Sequence, residues 1–282
     1  MGARAEGPRG SGLLGDSATR DYGAKLERFH AFAAPELEEI TAALGLRSGM
    51  QVLDAGCGTG EMLGRLREQV GAAGLVVGLD LAQAHLARVR AKALPALLLQ
   101  ADAARPGLRP GSFDLVWSLN TVNHLREPAT GIRTLVGLLK PGGRLVLAQS
   151  SFLPDMYFAW DARLERLVNE AVRQYYRERY DASERDFTAI RASVGLLRAA
   201  GLRNVTVRSW LIERVAPLSA ADEAYLLETQ FRGTWGERLR PFLSAADFAE
   251  VARLCDPTDR GYALRRPDFH FLQTLSVASG QV

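Results

Sequence analysis

Residues 52–61, Val52-Leu53-Asp54-Ala55-Gly56-Cys57-Gly58-Thr59-Gly60-Glu61, restrict the possible folds more than any other stretch of the chain. A short apolar run ends in three glycines at alternate positions, and a helical spacing of Met62, Leu63, Leu66 and Val70 follows at once. Glycine tolerates positive φ and carries no Cβ to shield a backbone amide, so this segment predicts a strand, a tight turn and a helix N-terminus. Amides at such a turn favour a negatively charged ligand group. The third glycine of a dinucleotide fingerprint belongs three residues after Gly58, and Glu61 stands there. That substitution argues against a nicotinamide or flavin cofactor, and a carboxylate at Glu61 opposes a pyrophosphate.

The same strand-then-helix alternation continues to about Ser150, as expected of βαβ units feeding a parallel sheet. Strands are predicted at Gln51–Ala55, Leu75–Asp80, Ala96–Gln100, Phe113–Ser118 and Arg144–Gln149, with helices over Met62–Val70, Leu81–Ala91 and Thr130–Leu139. Pro141-Gly142-Gly143 is read as the stop of the last helix. Tyr22–Leu44 reads as one or two preceding helices, and residues 1–20 as a flexible tail. Beyond the fifth strand come a long amphipathic helix over Asp155–Arg179, a helix over Phe187–Ala200 and a strand at Val205–Leu211. Helical stretches at Ala220–Phe231 and Ala245–Leu254 precede a final strand at Phe269–Val277. The expected architecture is therefore α/β, a doubly wound, seven-stranded, mostly parallel sheet. One domain over 21–282 carries helical cap insertions at about 151–185 and 212–268, because nearly sixty residues are too many for a plain loop.

Composition narrows the function classes. The chain has 282 residues and a net charge of +3, and only three of its 35 basic residues are lysine, so Arg richness by itself does not argue for nucleic acid. No run approaches the apolar length of a membrane span, and no apolar block fits a secretory signal, so neither membrane nor export is expected. Two cysteines, Cys57 and Cys255, with Cys57 inside the glycine turn, suit a reducing, cytoplasmic setting. Around the fourth strand Ser118, Leu119, Asn120 and Thr121 are neutral, so no metal is expected. Asn120-Thr121-Val122 also lacks the Pro-Pro-aromatic continuation of base-amino methylating enzymes.

The glycine turn, Val77-Gly78-Leu79-Asp80-Leu81, Gln100-Ala101-Asp102-Ala103 and Lys140-Pro141-Gly142-Gly143-Arg144-Leu145 occur in an order that resembles the class I S-adenosylmethionine-dependent methyltransferases. Within these the likeness is to the small-molecule branch that includes the ubiquinone and menaquinone methyltransferases. It covers Tyr22 to Ser150 well and the remainder loosely. The resemblance implies S-adenosyl-L-methionine as cofactor, a ligand whose ammonium and sulfonium suit acidic surroundings. It implies that Asp54, Gly56, Gly58 and Gly60 hold the methionine part, and Asp80 with Leu81 the ribose. Asp102 and Ala103 would receive the adenine, with Tyr22 and Asn120 closing the walls. Asp54 also fits a role in orienting its own loop, and Asp114 reads as structural.

His124 is the candidate catalytic residue, a general base for a hydroxyl acceptor. Followed by Leu125-Arg126-Glu127-Pro128, it also fits a role in holding a helix entrance. His85 falls on an amphipathic helix and is read as solvated. The first insertion gathers Tyr157, Trp160 and Tyr176 beside several arginines, which fits either a lid over an apolar or aromatic acceptor or a packed helix with a solvated face. The expected activity is methyl transfer to a small molecule by in-line displacement, and a homodimer stays open. The alternatives are a protein of this fold that binds the cofactor without methyl transfer, and a nicotinamide-dependent oxidoreductase.

Overall fold

The computed structural model describes Ser17, Thr19 and residues 21–151, 161–180 and 192–282. Its frame is a seven-stranded sheet ordered β3-β2-β1-β4-β5-β7-β6. The strands are β1 (Gln51–Ala55), β2 (Leu75–Asp80), β3 (Leu97–Gln100), β4 (Phe113–Leu119), β5 (Leu139–Ser150), β6 (Arg203–Val215) and β7 (His270–Gln281). The first five run parallel, while β7 lies antiparallel between β5 and β6. The helices are α1 (Gly23–Phe32), α2 (Ala34–Ala43), α3 (Glu61–Val70), α4 (Gln83–Ala91), α5 (Pro128–Gly137), α6 (Ala162–Tyr180), α7 (Ser193–Ala199), α8 (Ala220–Tyr225) and α9 (Ala245–Leu254).

Alternation along the buried strands builds two cores. Val52, Leu115, Val146 and Leu275 face one side, where they join Leu66 of α3, Leu86 of α4 and Leu37 of α2. Leu53, Val116, Leu145 and Ala278 face the other, under Ile132 of α5 and Leu197 of α7. The described parts of both C-terminal additions pack on the first side: Leu164, Val168 and Val172 of α6 share that core with Phe231, Leu239 and Val251. Arg163 of α6 reaches Asp247 of α9 at 2.8 Å, and Arg238 stacks on Tyr175, 5.2 Å from its ring centre.

Several elements differ from the sequence reading. β6 and β7 pair from Val215–His270 to Arg203–Gln281, well beyond the predicted ends, because a two-stranded ladder tolerates the polar residues that mark its limits in sequence. Pro141-Gly142-Gly143 lies inside β5, and α5 ends before it at Gly137. α8 widens after Tyr225 into π-type turns over Leu226–Thr234, so the predicted helix to Phe231 is not a single α-helix. α6 starts at Ala162, and Tyr157, Phe158 and Trp160 lie outside the described residues, as do residues 181–191.

α1 joins the two halves of the molecule. Phe32, at its end, is 4% exposed and stacks on Tyr225 with ring centres 4.1 Å apart. Phe271 meets it edge-on at 5.5 Å, and the Arg214 guanidinium lies 4.7 Å above its ring while bonding Glu36 at 2.8 Å. Replacing Phe32 with Ala removes an anchor shared by α1, β7 and the second addition. A loss of about 3–5 kcal/mol in denaturant unfolding is expected.

His30, earlier in α1, has no partner for Nδ1. Burial pulls its pKa from 6.5 down to about 4, against a smaller upward pull from Glu61. The unfolded chain therefore takes up a proton below 6.5 that the folded chain refuses until about 4, so stability is lost as pH falls through that window. From this group the protein should be about 1 kcal/mol less stable at pH 5.5 than at pH 7.5. Urea midpoints at the two pH values check this, and His30→Leu should flatten the difference.

Candidate functional site

The C-terminal ends of β3, β2, β1 and β4 lie side by side, through the pairings Gln100–Asp80, Leu79–Ala55 and Asp54–Trp117. This edge brings Asp102, Asp80, the glycine turn and Asn120 together, as an open α/β sheet does at its ligand-binding crevice. Gly56, Gly58 and Gly60 all have positive φ, at 85°, 52° and 89°. A Cβ on Gly56 would collide with Thr121, one on Gly58 would come within 2.8 Å of Leu26, and one on Gly60 within 2.9 Å of Val89. The glycines are therefore required by the turn and by close packing from β4, α1 and α4.

The turn's amides are committed internally. The N–H groups of Gly56 and Cys57 both donate to the Leu79 carbonyl, at 2.7 and 2.8 Å, and that of Gly60 donates to Cys57. The Gly58 N–H donates to Asp80 Oδ2 at 2.8 Å. These four amides are thus not open donors for an anion, which corrects the expectation drawn from the glycine spacing. The charge argument at Glu61 changes too. Its carboxylate accepts from Lys92 at 2.5 Å and from Thr59 at 2.7 Å, so Lys92 offsets the charge counted against a pyrophosphate.

Asp54 is 1% exposed, and its Oδ2 has no hydrogen-bond partner. Burial, then the charges of Asp80 and Glu61, push its pKa well above the ordinary carboxylate value. A buried carboxylate in this state is incomplete, and a cation placed against it would relieve both the desolvation and the repulsion. Burial likewise raises the Cys57 thiol, which is therefore a poor nucleophile.

Asp80 sits at the end of β2 with its side chain 13% exposed. Besides Gly58, it accepts from Ala82 N–H at 2.8 Å and meets His85 Nδ1 at 3.1 Å, both on Oδ1. His85 is fully buried, not solvated: α4 turns it beneath the end of β2, where Tyr22 N–H donates to its Nε2 at 3.3 Å and the Tyr22 ring meets it edge-on at 4.5 Å. Leu81 follows, and its carbonyl accepts from Gln100. Asp102 accepts from Ala104 N–H at 2.8 Å, while Ala103 is buried beside it.

Asn120 has φ of 52°, and its Oδ1 accepts from both the amide and the hydroxyl of Ser150, at 2.8 and 3.0 Å. Its carbonyl end therefore ties β4 to β5. His124 closes a 3-10 turn over Val122–His124, with its amide bonded to Thr121 O. Asp114 lies at the opposite end of β4, where it accepts from Gln51 N–H at 2.7 Å and pairs with Lys140 at 2.8 Å, a structural tie between strands. Sequence reasoning missed His85, Thr121, Lys92 and Ser150. Each makes at least one contact distant in sequence, to Tyr22, Gly56, Glu61 and Asn120 respectively, which no local pattern signals.

Among the described residues there is no grouping of His, Cys, Asp and Glu able to hold a metal, and no helix long and apolar enough to cross a membrane. The arrangement offers one buried carboxylate lacking a cation and, next to it, an acid with acceptor capacity left for a hydroxyl donor. Those two features fit the amino-acid and ribose ends of S-adenosyl-L-methionine.

Comparison with known proteins agrees with this geometry. A methyltransferase-domain family model matches residues 53–147. The trans-aconitate 2-methyltransferase of Deinococcus radiodurans is 30% identical over 82% of this chain and 86% of its own length. The nocamycin O-methyltransferase of Saccharothrix syringae is 30% identical over 79% of this chain and 83% of its own. Against three other curated relatives the chain spans only 33%, 31% and 45% of their length. The crystal structure of the YcgJ protein from Bacillus subtilis shares the fold at a TM-score of 0.55 and 14% identity, covering 87% of this chain and 97% of that one. On these matches and on the strand order that carries its glycine turn, the chain belongs to the class I S-adenosylmethionine-dependent methyltransferases.

Proposed function

We propose that this protein transfers a methyl group from S-adenosyl-L-methionine to a small-molecule acceptor. The observation that carries the reading is Asp54, a buried carboxylate with an unpartnered oxygen at the mouth of the glycine turn, one strand from Asp80. In this reading Asp54 takes the ammonium of the methionine part, and Asp80 accepts from the ribose. Asp102 and the Ala103 amide receive the adenine, and Tyr22, Leu81 and Asn120 line the walls. The cofactor supplies an electrophilic methyl on a sulfonium. The protein's part is to align the acceptor with that methyl and exclude water, which needs no dedicated acid or base. His124 is the base for an acceptor that must lose a proton.

The acceptor chamber is assigned to the side of the sheet that carries Trp117, beneath α6 and the second addition. Support comes from buried polar atoms with no partner there: Trp117 Nε1, Trp210 Nε1, Gln273 Oε1 and Thr229 Oγ1. Buried groups of this kind cost about 1–3 kcal/mol each when unsatisfied, which argues for an acceptor with hydrogen-bonding groups alongside any rings. Aromatic contact is available from Tyr175 and Tyr176, whose rings meet edge-on at 5.5 Å. Val207, Leu211 and Val215, each about half exposed on edge strand β6, support a homodimer.

Titration calorimetry with S-adenosylhomocysteine tests the reading, together with release of that product from labelled cofactor across a panel of small acceptors. Asp80→Ala should weaken binding by about 1.5–3 kcal/mol in a variant with normal melting. No binding by the native chain at millimolar ligand would end the proposal.

Asp54 adds a pH signature. An ammonium beside it stabilises the ionised form, so binding lowers its raised pKa and releases a proton. Affinity should therefore rise with pH from above the ordinary aspartate value through the raised one. Calorimetry in two buffers of different ionisation enthalpy reads the proton directly, and Asp54→Asn should abolish its release.

A further inference from the structure

Ser151 and Gln273 meet just beyond the C-terminal end of β5, and they are 6% and 5% exposed. Both main-chain groups of Ser151 are paired: its N–H donates to Thr274 O at 2.8 Å, and its carbonyl accepts from Gln273 Nε2 at 2.9 Å. A carbonyl can only accept, so the amide nitrogen of Gln273 is the atom that faces it, which fixes the other atom as Oε1. What remains is the hydroxyl of Ser151 and Oε1 of Gln273, and both are buried without a partner. Gln273 alternates along β7 with Phe271 and Leu275, so it faces the side of the sheet that carries α6 and the second addition. One residue before Ser151, the amide and hydroxyl of Ser150 are held by Asn120 Oδ1, at 2.8 and 3.0 Å. The two unpartnered atoms therefore stand beside the segment of β4 that is assigned to the cofactor wall.

We propose that Ser151 Oγ and Gln273 Oε1 form a seat for a neutral hydroxyl group of the methyl acceptor. Gln273 Oε1 accepts from the ligand's O–H, and the Ser151 hydroxyl donates to the ligand's oxygen. Donors and acceptors match only for a group that does both. A carboxylate has no proton for Oε1 and sets oxygen against oxygen; an ammonium has protons but no lone pair for the Ser151 O–H; a methyl answers neither. The proposal rests on the methyl-transfer reading and narrows its acceptor to the alcohols and phenols, with Ser151 and Gln273 as the residues that select them.

Benzyl alcohol, toluene and benzoate share one carbon frame and differ only in the group that would reach the seat. They serve as probes, titrated by NMR into the full chain saturated with S-adenosylhomocysteine. Two variants separate the seat from the scaffold around it. Ser151→Ala removes the hydroxyl and keeps both main-chain bonds of residue 151, including the one from the Gln273 amide. Gln273→Met keeps the length of the side chain and loses both of its polar atoms. Melting of each chain is recorded alongside.

The native chain is expected to bind benzyl alcohol on the order of tenfold more tightly than toluene or benzoate. Ser151→Ala should cut the alcohol-to-toluene ratio by roughly fivefold. It should melt no lower than the native chain, because the hydroxyl it removes is buried and has no partner in the protein. Gln273→Met should cut the ratio in the same way. Equal affinities for the alcohol and toluene in the native chain, or no detectable binding of the alcohol, overturn the proposal; the pair is then satisfied by buried water. A ratio that Ser151→Ala leaves unchanged also overturns it, and a lowered melting temperature beside that unchanged ratio gives the hydroxyl a structural role instead. If Gln273→Met fails to fold, the native ratios and Ser151→Ala still decide. Failure of the underlying reading looks different: S-adenosylhomocysteine would then not bind the native chain, whatever the order of the three probes.

Discussion

The turn that leaves β1 is the constraint on which the rest of the molecule depends. Two successive amides, Gly56 and Cys57, share the single carbonyl of Leu79, and the next glycine amide is held by the carboxylate one residue further along β2. Such a knot forms only where the backbone can adopt positive φ several times in quick succession, which glycine allows at little cost. Once it is tied, α3 starts in a fixed direction, α1 and α4 close on it through Leu26 and Val89, and Thr121 is drawn in from β4. The turn thus organises four elements before any ligand arrives.

The acids at this edge are not equivalent, and their surroundings sort them. Glu61 is paired with Lys92 and serves the start of α3. Asp80 is held by three donors from the protein. Asp54 is left without compensation at Oδ2, and burial together with the charge of its neighbours pushes its titration upward. Of these three acids, Asp54 is therefore the one whose surroundings leave room for compensation by a positive group.

Much of this was legible in the sequence where the signal is local. The limits of β1 and β2 coincide with the reading, because each is a short apolar run cut off by glycine or aspartate. α9 is likewise bounded as read, with Ser244 capping its first turn through the Asp247 amide. What escaped is what depends on distant partners. His85 has charged and small neighbours on its helix and looks solvated in a linear reading, whereas it is fully buried against Tyr22 and Asp80. The Gly56 and Gly58 amides looked open because their acceptors, Leu79 and Asp80, lie on another strand. The length of the β6–β7 ladder escaped for the same reason, since pairing across strands overrode a polar composition.

The placement of β7 between β5 and β6 bears on how the chain is made. β5 ends at Ser150, yet the strand that covers its edge begins only at His270. During synthesis the parallel part of the sheet emerges first and must hold an uncovered strand edge until residues 270–281 have been translated. β6 emerges earlier but has no place in the sheet without β7. A long-range closure of this kind is slow, and it leaves an unpaired edge exposed to other chains in the meantime. The strand that completes the sheet is therefore translated after the other six, and the nascent sheet depends on its arrival for protection from aggregation.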